Sequence, residues 1–199
     1  TDLKAYLEMT SDAATDIYVQ GPLDATEAAT IHRPVTIIPV GNVTITRTAE
    51  NTNYMFDINK NLTLQGSENN QFILQGNSDT VSSQLINCTT SNVELNLQYC
   101  TLQNANCESN SYCSALYVSN NSTLKMSYCN IKNNKGVAVV LNTNSVLENC
   151  TFTNNEAKST PASAVHINDS SANVEIKNCT FSNNTNTEYS GDLGIEQSQ

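Results

Sequence analysis

Side chains that could do chemistry are sparse in this sequence, and their spacing favours structural roles over catalysis. Two histidines occur, and one of them, His166, falls at an outward, exposed position of a predicted strand. His166, Asp169 and Glu175 could share a neighbourhood, but no Ser or Cys beside them is placed as a nucleophile. Glycoside hydrolysis needs two facing carboxylates with separated pKa values, whereas the acidic residues here are isolated and lack flanking basic clusters. We therefore predict no catalytic residues.

Cys107 and Cys113 enclose a polar insert, residues 106–113, that lies outside the repeated pattern of the chain. Closing such a short loop with a disulfide is typical of proteins from oxidising compartments. A metal site is the alternative, but two cysteines without a nearby histidine or further cysteine fall short of four ligands. Glycines are scattered along the chain and form no phosphate-binding loop. We predict the Cys107–Cys113 disulfide, no bound metal and no cofactor.

The charge balance is acidic, and it argues against two classes of partner. Lys plus Arg number 9 and Asp plus Glu number 19, which gives a net charge of −10. Such a chain would be repelled by phosphate backbones and by anionic lipid headgroups. No segment approaches the ~20 consecutive apolar residues that span a bilayer. We predict no nucleic-acid binding and no direct insertion into a membrane.

A repeated pattern surrounds four of the seven cysteines, which are spaced by 29, 21 and 29 residues. Apolar residues recur three residues before and two residues after each cysteine, and an asparagine always follows four residues after it. The cysteines are Cys100, Cys129, Cys150 and Cys179, and the asparagines are Asn104, Asn133, Asn154 and Asn183. Variable spacing with constant offsets indicates a conserved pair of strands joined by loops of different length.

The elements that hold these cysteines are predicted to be short strands, because apolar residues alternate with a period of two. The alternation changes phase between the apolar residue at −3 and the cysteine, which indicates a bend at that point. A further apolar strand precedes each unit, for example at 115–118, 138–141 and 164–167. Three short strands per turn, repeated at about 20 to 30 residues, predict an all-β fold, a right-handed parallel β-helix.

Successive coils of such a fold place equivalent residues in columns about 4.8 Å apart. The four repeat cysteines occupy inward positions, so we predict a column of buried free thiols, since parallel Cβ directions are unfavourable for disulfides. The four repeat asparagines fall at a tight corner, where Asn tolerates φ > 0 and its amide can bond the same amide in the next coil. A row of ligand-binding amides is the functional alternative for this column.

The chain is predicted to form a single domain over residues 1–199. Residues 1–20 form an N-terminal cap with one amphipathic helix at 2–9, whose apolar residues are Leu3, Tyr6 and Leu7, with Met9 as a further candidate. Such a helix covers the core and the strand edges at one end of the stack, which would otherwise promote aggregation. Coils occupy 21–186, and a polar tail without a comparable cap occupies 187–199.

Two segments of the repeat, Phe152-Thr-Asn-Asn155 and Phe181-Ser-Asn-Asn184, resemble a known motif. They look like the Phe-x-x-Asn repeats of chlamydial polymorphic membrane proteins and of related bacterial or protist surface adhesins. Those proteins continue with Gly-Gly-Ala and Ile, Leu or Val, of which this chain keeps the Ala and the apolar residue at 113–116, 136–139 and 163–165. The resemblance spans about residues 84–184 and implies a surface-exposed adhesive passenger without enzyme activity.

The sequence therefore predicts a non-catalytic adhesion module at the cell surface or outside the cell. Its expected partner is a host cell-surface protein or a glycan, and it is expected to be a monomer. One alternative is a carbohydrate-active, polysaccharide-degrading β-helix enzyme. The other is a purely structural stalk of a larger surface protein, because fold alone does not choose a function.

Overall fold

The structure is a computed structural model that describes residues 1–77, 84–107, 114–158, 160–189 and 191–195. Helix α1 spans Leu3–Glu8. Sheet 1 contains β1 (Asp16–Val19), β4 (Val35–Pro39), β7 (Leu62–Gln65), β10 (Glu94–Gln98), β13 (Thr123–Ser127), β16 (Ser145–Glu148) and β20 (Val174–Lys177). Sheet 2 contains β2 (Leu23–Ala25), β5 (Val43–Arg47), β8 (Phe72–Gln75), β11 (Cys100–Gln103), β14 (Asn130–Lys132), β17 (Thr151–Thr153) and β21 (Thr180–Ser182).

A third sheet and a short ladder complete each turn of the chain. Sheet 3 contains β3 (Ala29–Ile31), β6 (Phe56–Ile58), β9 (Ile86–Cys88), β12 (Ser114–Val118), β15 (Val137–Leu141), β19 (Val165–Ile167) and β23 (Leu193–Ile195). The ladder pairs β18 (Glu156–Ala157) with β22 (Thr185–Asn186). Because the chain visits sheets 1, 2 and 3 in turn and neighbouring strands run parallel, the coils stack into a parallel β-helix, as the repeats predict.

Apolar side chains fill the space between the three sheets. In β4 and β5 every second residue is buried, which is the pattern expected of strands with one face on a core. The register places similar side chains above one another in adjacent coils. Phe152, for example, pairs with Phe181, and the centroids of their rings lie 4.8 Å apart with an angle of 5° between the ring planes. Columns of matched side chains give the close packing that stabilises a protein interior.

Two corners of each repeat are made by residues with positive φ. The residue before each repeat cysteine has φ between 50° and 54°, and this is where the sequence predicts a bend. These residues are Tyr99, Tyr128, Asn149 and Asn178. The four repeat asparagines form the second corner, with φ of 55° to 56°. Asn adopts this conformation more readily than most residues, which explains its recurrence there.

The boundaries at the two ends differ from the prediction. Strand β1 lies within residues 1–20, so the first coil begins at Asp16 rather than at 21, because Ile17 and Val19 alternate inward like the later strands. Strand β23 lies within the predicted polar tail and pairs with β19. Helix α1 buries Leu3, whereas the candidate Met9 lies beyond the end of the helix, is 84% exposed and does not belong to the apolar face.

The prediction of an exposed His166 is also wrong, because its side chain is only 5% exposed. It lies on the outer side of sheet 3, between Val140 and Gly194 in register. A second layer covers this side: a Cβ on Gly194 would lie 2.9 Å from the carbonyl oxygen of Pro161. Several apolar residues outside the central core are buried in the same region, namely Cys107, Val137, Val140, Ala157 and Ala162.

Candidate functional site

The four repeat cysteines lie one above another along the axis of the β-helix. The register pairs the residue after Cys100 with the residue after Cys129, and the same holds for the next two steps. Cys100, Cys129 and Cys150 are buried, Cys179 is half-buried, and all four are free thiols. The Sγ of Cys129 lies 3.4 Å from the carbonyl oxygen of Leu97, in the direction expected of a thiol donor.

The surroundings of three of these thiols, Cys129, Cys150 and Cys179, raise the pKa and so oppose ionisation. Burial raises the pKa of Cys129 well above its ordinary value. The neighbouring Cys129 thiol, together with burial, raises the pKa of Cys150 strongly, and burial also raises that of Cys179. Because the thiolate is the nucleophile and the metal ligand, the buried thiols Cys129 and Cys150 pack the core rather than react.

The repeat asparagines turn the chain, but the amide ladder lies one residue further on. Asn133, Asn154 and Asn183 are exposed, and Asn104 is half-buried. The side chains that bond from coil to coil are those of Asn134, Asn155 and Asn184 (the amide ladder): Nδ2 of Asn134 donates to Oδ1 of Asn155, and Nδ2 of Asn155 donates to Oδ1 of Asn184, both at 2.9 Å. The predicted ladder of bonded amides at Asn104, Asn133, Asn154 and Asn183 is therefore wrong. The bonded amides belong to the residue that follows the repeat asparagine.

The amide ladder also satisfies backbone groups at the corner. Asn134 Nδ2 donates to the carbonyl oxygen of Leu102 at 3.2 Å, and its Oδ1 accepts from the backbone N–H of Ala105 at 2.9 Å. Asn155 and Asn184 donate in the same way to the carbonyl oxygens of Ile131 and Phe152. Asn134 and Asn155 are buried, so these amides hold the corner together and are not available to a ligand. The Asn-Asn pairs at 133–134, 154–155 and 183–184 were the signal for this column.

The predicted disulfide involves one residue that the structure describes and one that it does not. Cys107 is buried, whereas Cys113 lies outside the described residues, so the Cys107–Cys113 disulfide stays a prediction. Across the described ranges, no group of three or more His, Cys, Asp and Glu side chains could hold a metal ion.

The predicted acidic neighbourhood is divided between two sheets. His166 lies in β19 of sheet 3, whereas Glu175 lies in β20 of sheet 1 and forms an ion pair with Lys177. Asp169 lies in the turn between them and accepts hydrogen bonds from the Ser171 side chain and backbone, which lower its pKa. The structure therefore does not assemble these three residues into a catalytic group.

A shallow groove on the outer face of sheet 1 is lined by several kinds of polar side chain. Its volume is about 230 Å³, and its exposed or half-exposed lining residues are Asn96, Gln98, Lys125, Ser127, Val146 and Glu148. The register places Asn96 beside Lys125 and Lys125 beside Val146, while Gln98 lies beside Ser127 and Ser127 beside Glu148. Amide, ammonium, hydroxyl and carboxylate groups thus lie side by side around one small apolar surface.

Two tyrosines stand at the corner next to this groove. Tyr99 follows Gln98, and Tyr128 follows Ser127, so the two rings lie in adjacent coils. The rings stack with centroids 4.8 Å apart and an angle of 7° between them. Tyr128 is 49% exposed, which leaves part of a large amphipathic side chain available beside the groove.

The groove was not predicted, although the sequence contained a signal for it. Its residues lie four and two residues before the repeat cysteines, at positions that alternate outward from the predicted strands. Reading those outward positions as two further columns would have brought Lys125 next to Asn96, and Ser127 next to Glu148. Each tyrosine immediately precedes the repeat cysteine, Tyr99 before Cys100 and Tyr128 before Cys129, in two consecutive repeats.

Comparison with known families matches residues 43–196 to the right-handed β-helix region. Comparison with curated proteins and with solved structures finds no match. The fold fits surface and extracellular proteins. Within the described ranges, no helix has the length and apolar character needed to cross a membrane. Because the match covers more than half of the 199 residues, the chain belongs to the right-handed β-helix family.

Proposed function

We propose that this protein is a non-catalytic adhesion module, outside the cell or at its surface, that binds a host protein or glycan through the outer face of sheet 1. The groove beside the stacked tyrosines is the observation that supports this function. Its hydrogen-bonding groups suit hydroxyl-rich ligands, and Tyr128 offers an aromatic surface for the apolar side of a sugar ring or a side chain. The Phe-x-x-Asn resemblance to surface adhesins points in the same direction.

The expected binding is multivalent in character, because the groove is small. A volume of about 230 Å³ is below the ~300–1,000 Å³ of ordinary small-molecule pockets. A single sugar residue would bury little of its surface there, so affinity has to come from an extended partner that follows several coils. This is the behaviour expected of an adhesive surface rather than of an enzyme that encloses its substrate.

The test is binding of the purified protein to a glycan array and to host cells. Lys125→Ala and Tyr128→Ala together should weaken binding about tenfold or more, since they remove a charged hydrogen-bond donor and the exposed aromatic ring. The matched control is Lys132→Ala, which lies in the next strand, β14, and alternates outward on sheet 2. An equal loss of binding in Lys132→Ala would contradict the proposal that the ligand binds to the outer face of sheet 1. Failure of the native protein to bind any array or cell would favour the stalk.

A second candidate, polysaccharide cleavage, is favoured by one group of residues. Glu148 pairs in register with Lys177, and Lys177 forms its ion pair with Glu175 on the same outer face. Glycosidases use two carboxylates that flank the scissile bond. Release of reducing ends from any polysaccharide, abolished by Glu148→Gln, would establish this candidate and overturn the non-catalytic proposal.

A further inference from the structure

The last coil of the β-helix has an uncovered apolar surface (the end surface) on the side opposite the cap. Within the described residues, sheets 1, 2 and 3 end at β20, β21 and β23. The inward side chains of this coil are half-buried or exposed, although the equivalent residues of earlier coils are buried. They are Val174, Ile176, Cys179, Phe181, Leu193 and Ile195. A partner that covers the end surface removes this apolar area from water, which is the main source of favourable free energy in association.

Strand β20 also directs backbone hydrogen-bonding groups toward the end surface. The carbonyl oxygen of Lys177 accepts a hydrogen bond from the N–H of Asn149, so Lys177 and, by alternation, Glu175 bond to β16. In a parallel ladder the residues between them point their N–H and C=O to the opposite side. Val174 and Ile176 therefore face away from β16, where the described part of sheet 1 has no further strand. An edge of this kind can pair with a strand of another chain.

The outward side chains of β20 carry opposite charges two residues apart. Glu175 and Lys177 are exposed and form an ion pair on the outer face of sheet 1. If β20 pairs antiparallel with a second β20 and the pairing is centred on Ile176, each Glu175 lies opposite the other Lys177. The two Ile176 residues then form the hydrogen-bonded pair, and the Glu–Lys pairs are non-hydrogen-bonded ones, whose side chains lie closer together. One register thus satisfies both the backbone and the charges of β20.

We propose that the end surface binds a second copy of this chain, in a dimer whose two β20 strands pair antiparallel about a two-fold axis at Ile176. The contact is isologous, because the same surface serves both copies. Each copy covers apolar side chains of the other, and the pairs between Glu175 and Lys177 form the outer rim. Association stops at two chains because the dimer uses up the end surface of both copies. The monomer expected from the sequence is then the form present in dilute solution.

The dimer has a consequence for the outer face of sheet 1. A two-fold axis that relates two antiparallel strands of one sheet is perpendicular to that sheet, so sheet 1 of one copy continues into sheet 1 of the other. Both grooves then lie on the same face of one body. Two sites held in this way can engage one extended partner together, which raises avidity without any new contact. Dimerisation does not require the groove to be a binding site, so its test is separate from the test of adhesion.

The experiment is sedimentation equilibrium of the 199-residue chain at increasing concentration. A reversible monomer–dimer equilibrium is expected between about 1 μM and 1 mM, the range of small interfaces. Lys177→Glu places like charges opposite each other and should weaken dimerisation about tenfold or more. Glu175→Lys should have the same effect, although it moves the net charge of −10 closer to zero. General repulsion between acidic chains would predict stronger association for Glu175→Lys.

The decisive variant exchanges the two charges. Glu175→Lys combined with Lys177→Glu restores opposite charges across the two-fold axis, so its dimerisation should return to within about threefold of the native value. The matched control is Lys60→Glu, because Lys60 is exposed in the turn before β7 and its replacement changes the net charge as Lys177→Glu does. This control should dimerise within about twofold of the native protein.

A second readout is the rate at which N-ethylmaleimide labels Cys179. The rate should fall as the dimer forms, because the second copy covers the end surface, and it should stay high in Lys177→Glu at the same protein concentration. The proposal is overturned if the native chain stays monomeric up to about 1 mM, or if the charge exchange fails to restore the dimer. Growth beyond a dimer would also overturn it, by showing that the end surface stacks on the capped end of the next copy.

Discussion

The two ends of this β-helix have similar strands but different surroundings. At the capped end, formed by α1 with β1, β2 and β3, the inward residues Ile17, Leu23 and Ile31 are at most 4% exposed. At the open end, formed by β20, β21 and β23, the inward residues Leu193 and Ile195 are 42% and 60% exposed. Four other inward residues of the last coil are half-buried, namely Val174, Ile176, Cys179 and Phe181.

This difference shows that an inward position in a solenoid does not by itself bury a side chain. Ile176 pairs in register with Leu147 and points the same way, yet Leu147 is fully buried and Ile176 is not. Each coil is covered by the next one, so burial is a property of the stack and not of the strand. At the capped end, helix α1 takes the place of a further coil, and hydrogen bonds from the Tyr6 hydroxyl to the Tyr18 carbonyl oxygen and from the Asp24 N–H to the Thr1 carbonyl oxygen join the cap to β1 and β2.

The largest expected contrast concerns the cysteine column, which runs from the interior to the open end. In the native protein, Cys179 should react with N-ethylmaleimide at least ~100-fold faster than Cys129, because Cys129 is exposed only when the coils open. Mass spectrometry of labelled peptides gives both rates in one sample. In concentrated urea the two rates should converge, and equal protection of both thiols without denaturant would show that the open end is covered.

The stacked phenylalanines provide a contrast in stability. Phe152→Ala should lower the free energy of unfolding by about 3–5 kcal/mol, because it leaves a cavity in the closed part of the core. Phe181→Ala should cost roughly half as much, since that ring is already partly in contact with water. Urea unfolding followed by circular dichroism measures both values. Equal losses would mean that the last coil is as well packed as the interior.

The smallest effect is expected at Asp2, which caps α1 and the edge of β2. Burial alone would raise the pKa of Asp2, but hydrogen bonds from Thr26 and Ala5 outweigh it, so the pKa is lowered from 3.8. A lowered pKa in the folded state stabilises the protein above 3.8, and this contribution is lost as the pH falls through the folded value. Asp2→Ala should therefore cost about 1 kcal/mol at pH 7 and less in acid.

The matched control for this measurement is Asp16→Ala, because Asp16 is exposed on β1 of the same end. Asp16→Ala removes an exposed carboxylate that caps no helix, so at pH 7 it should lower the free energy of unfolding by less than Asp2→Ala does. A pH dependence that Asp2→Ala leaves unchanged would contradict the role assigned to Asp2 at the capped end.

The repeat architecture could be predicted because it depends on offsets that are visible along the chain. Constant positions around Cys100, Cys129, Cys150 and Cys179 established strands, bends and columns, since a parallel β-helix stacks residues at equal offsets. The apolar residues of 2–9 similarly predicted a capping helix, which the structure has at Leu3–Glu8. These features are short sequence patterns that recur along the chain, so they can be recognised without knowledge of any long-range contact.

The amide ladder and the buried histidine could not be assigned from the same patterns. Asn154 and Asn155 are adjacent and chemically identical, and only the corner geometry turns the second side chain inward. His166 lies at a strand position that alternates outward, but a second layer that includes Pro161 and Ala162 lies on that side of sheet 3, and His166 is buried. In both cases a neighbouring segment decides the outcome.

The sequence by itself determined the coil, its periodicity and the inward columns, because these follow from alternation within short strands. Only the tertiary structure decided which outward residues share a surface and which end is covered by a helix. The physical reason is that loops of different length separate the coils, so the residues of the sheet 1 groove come together only when the coils are stacked.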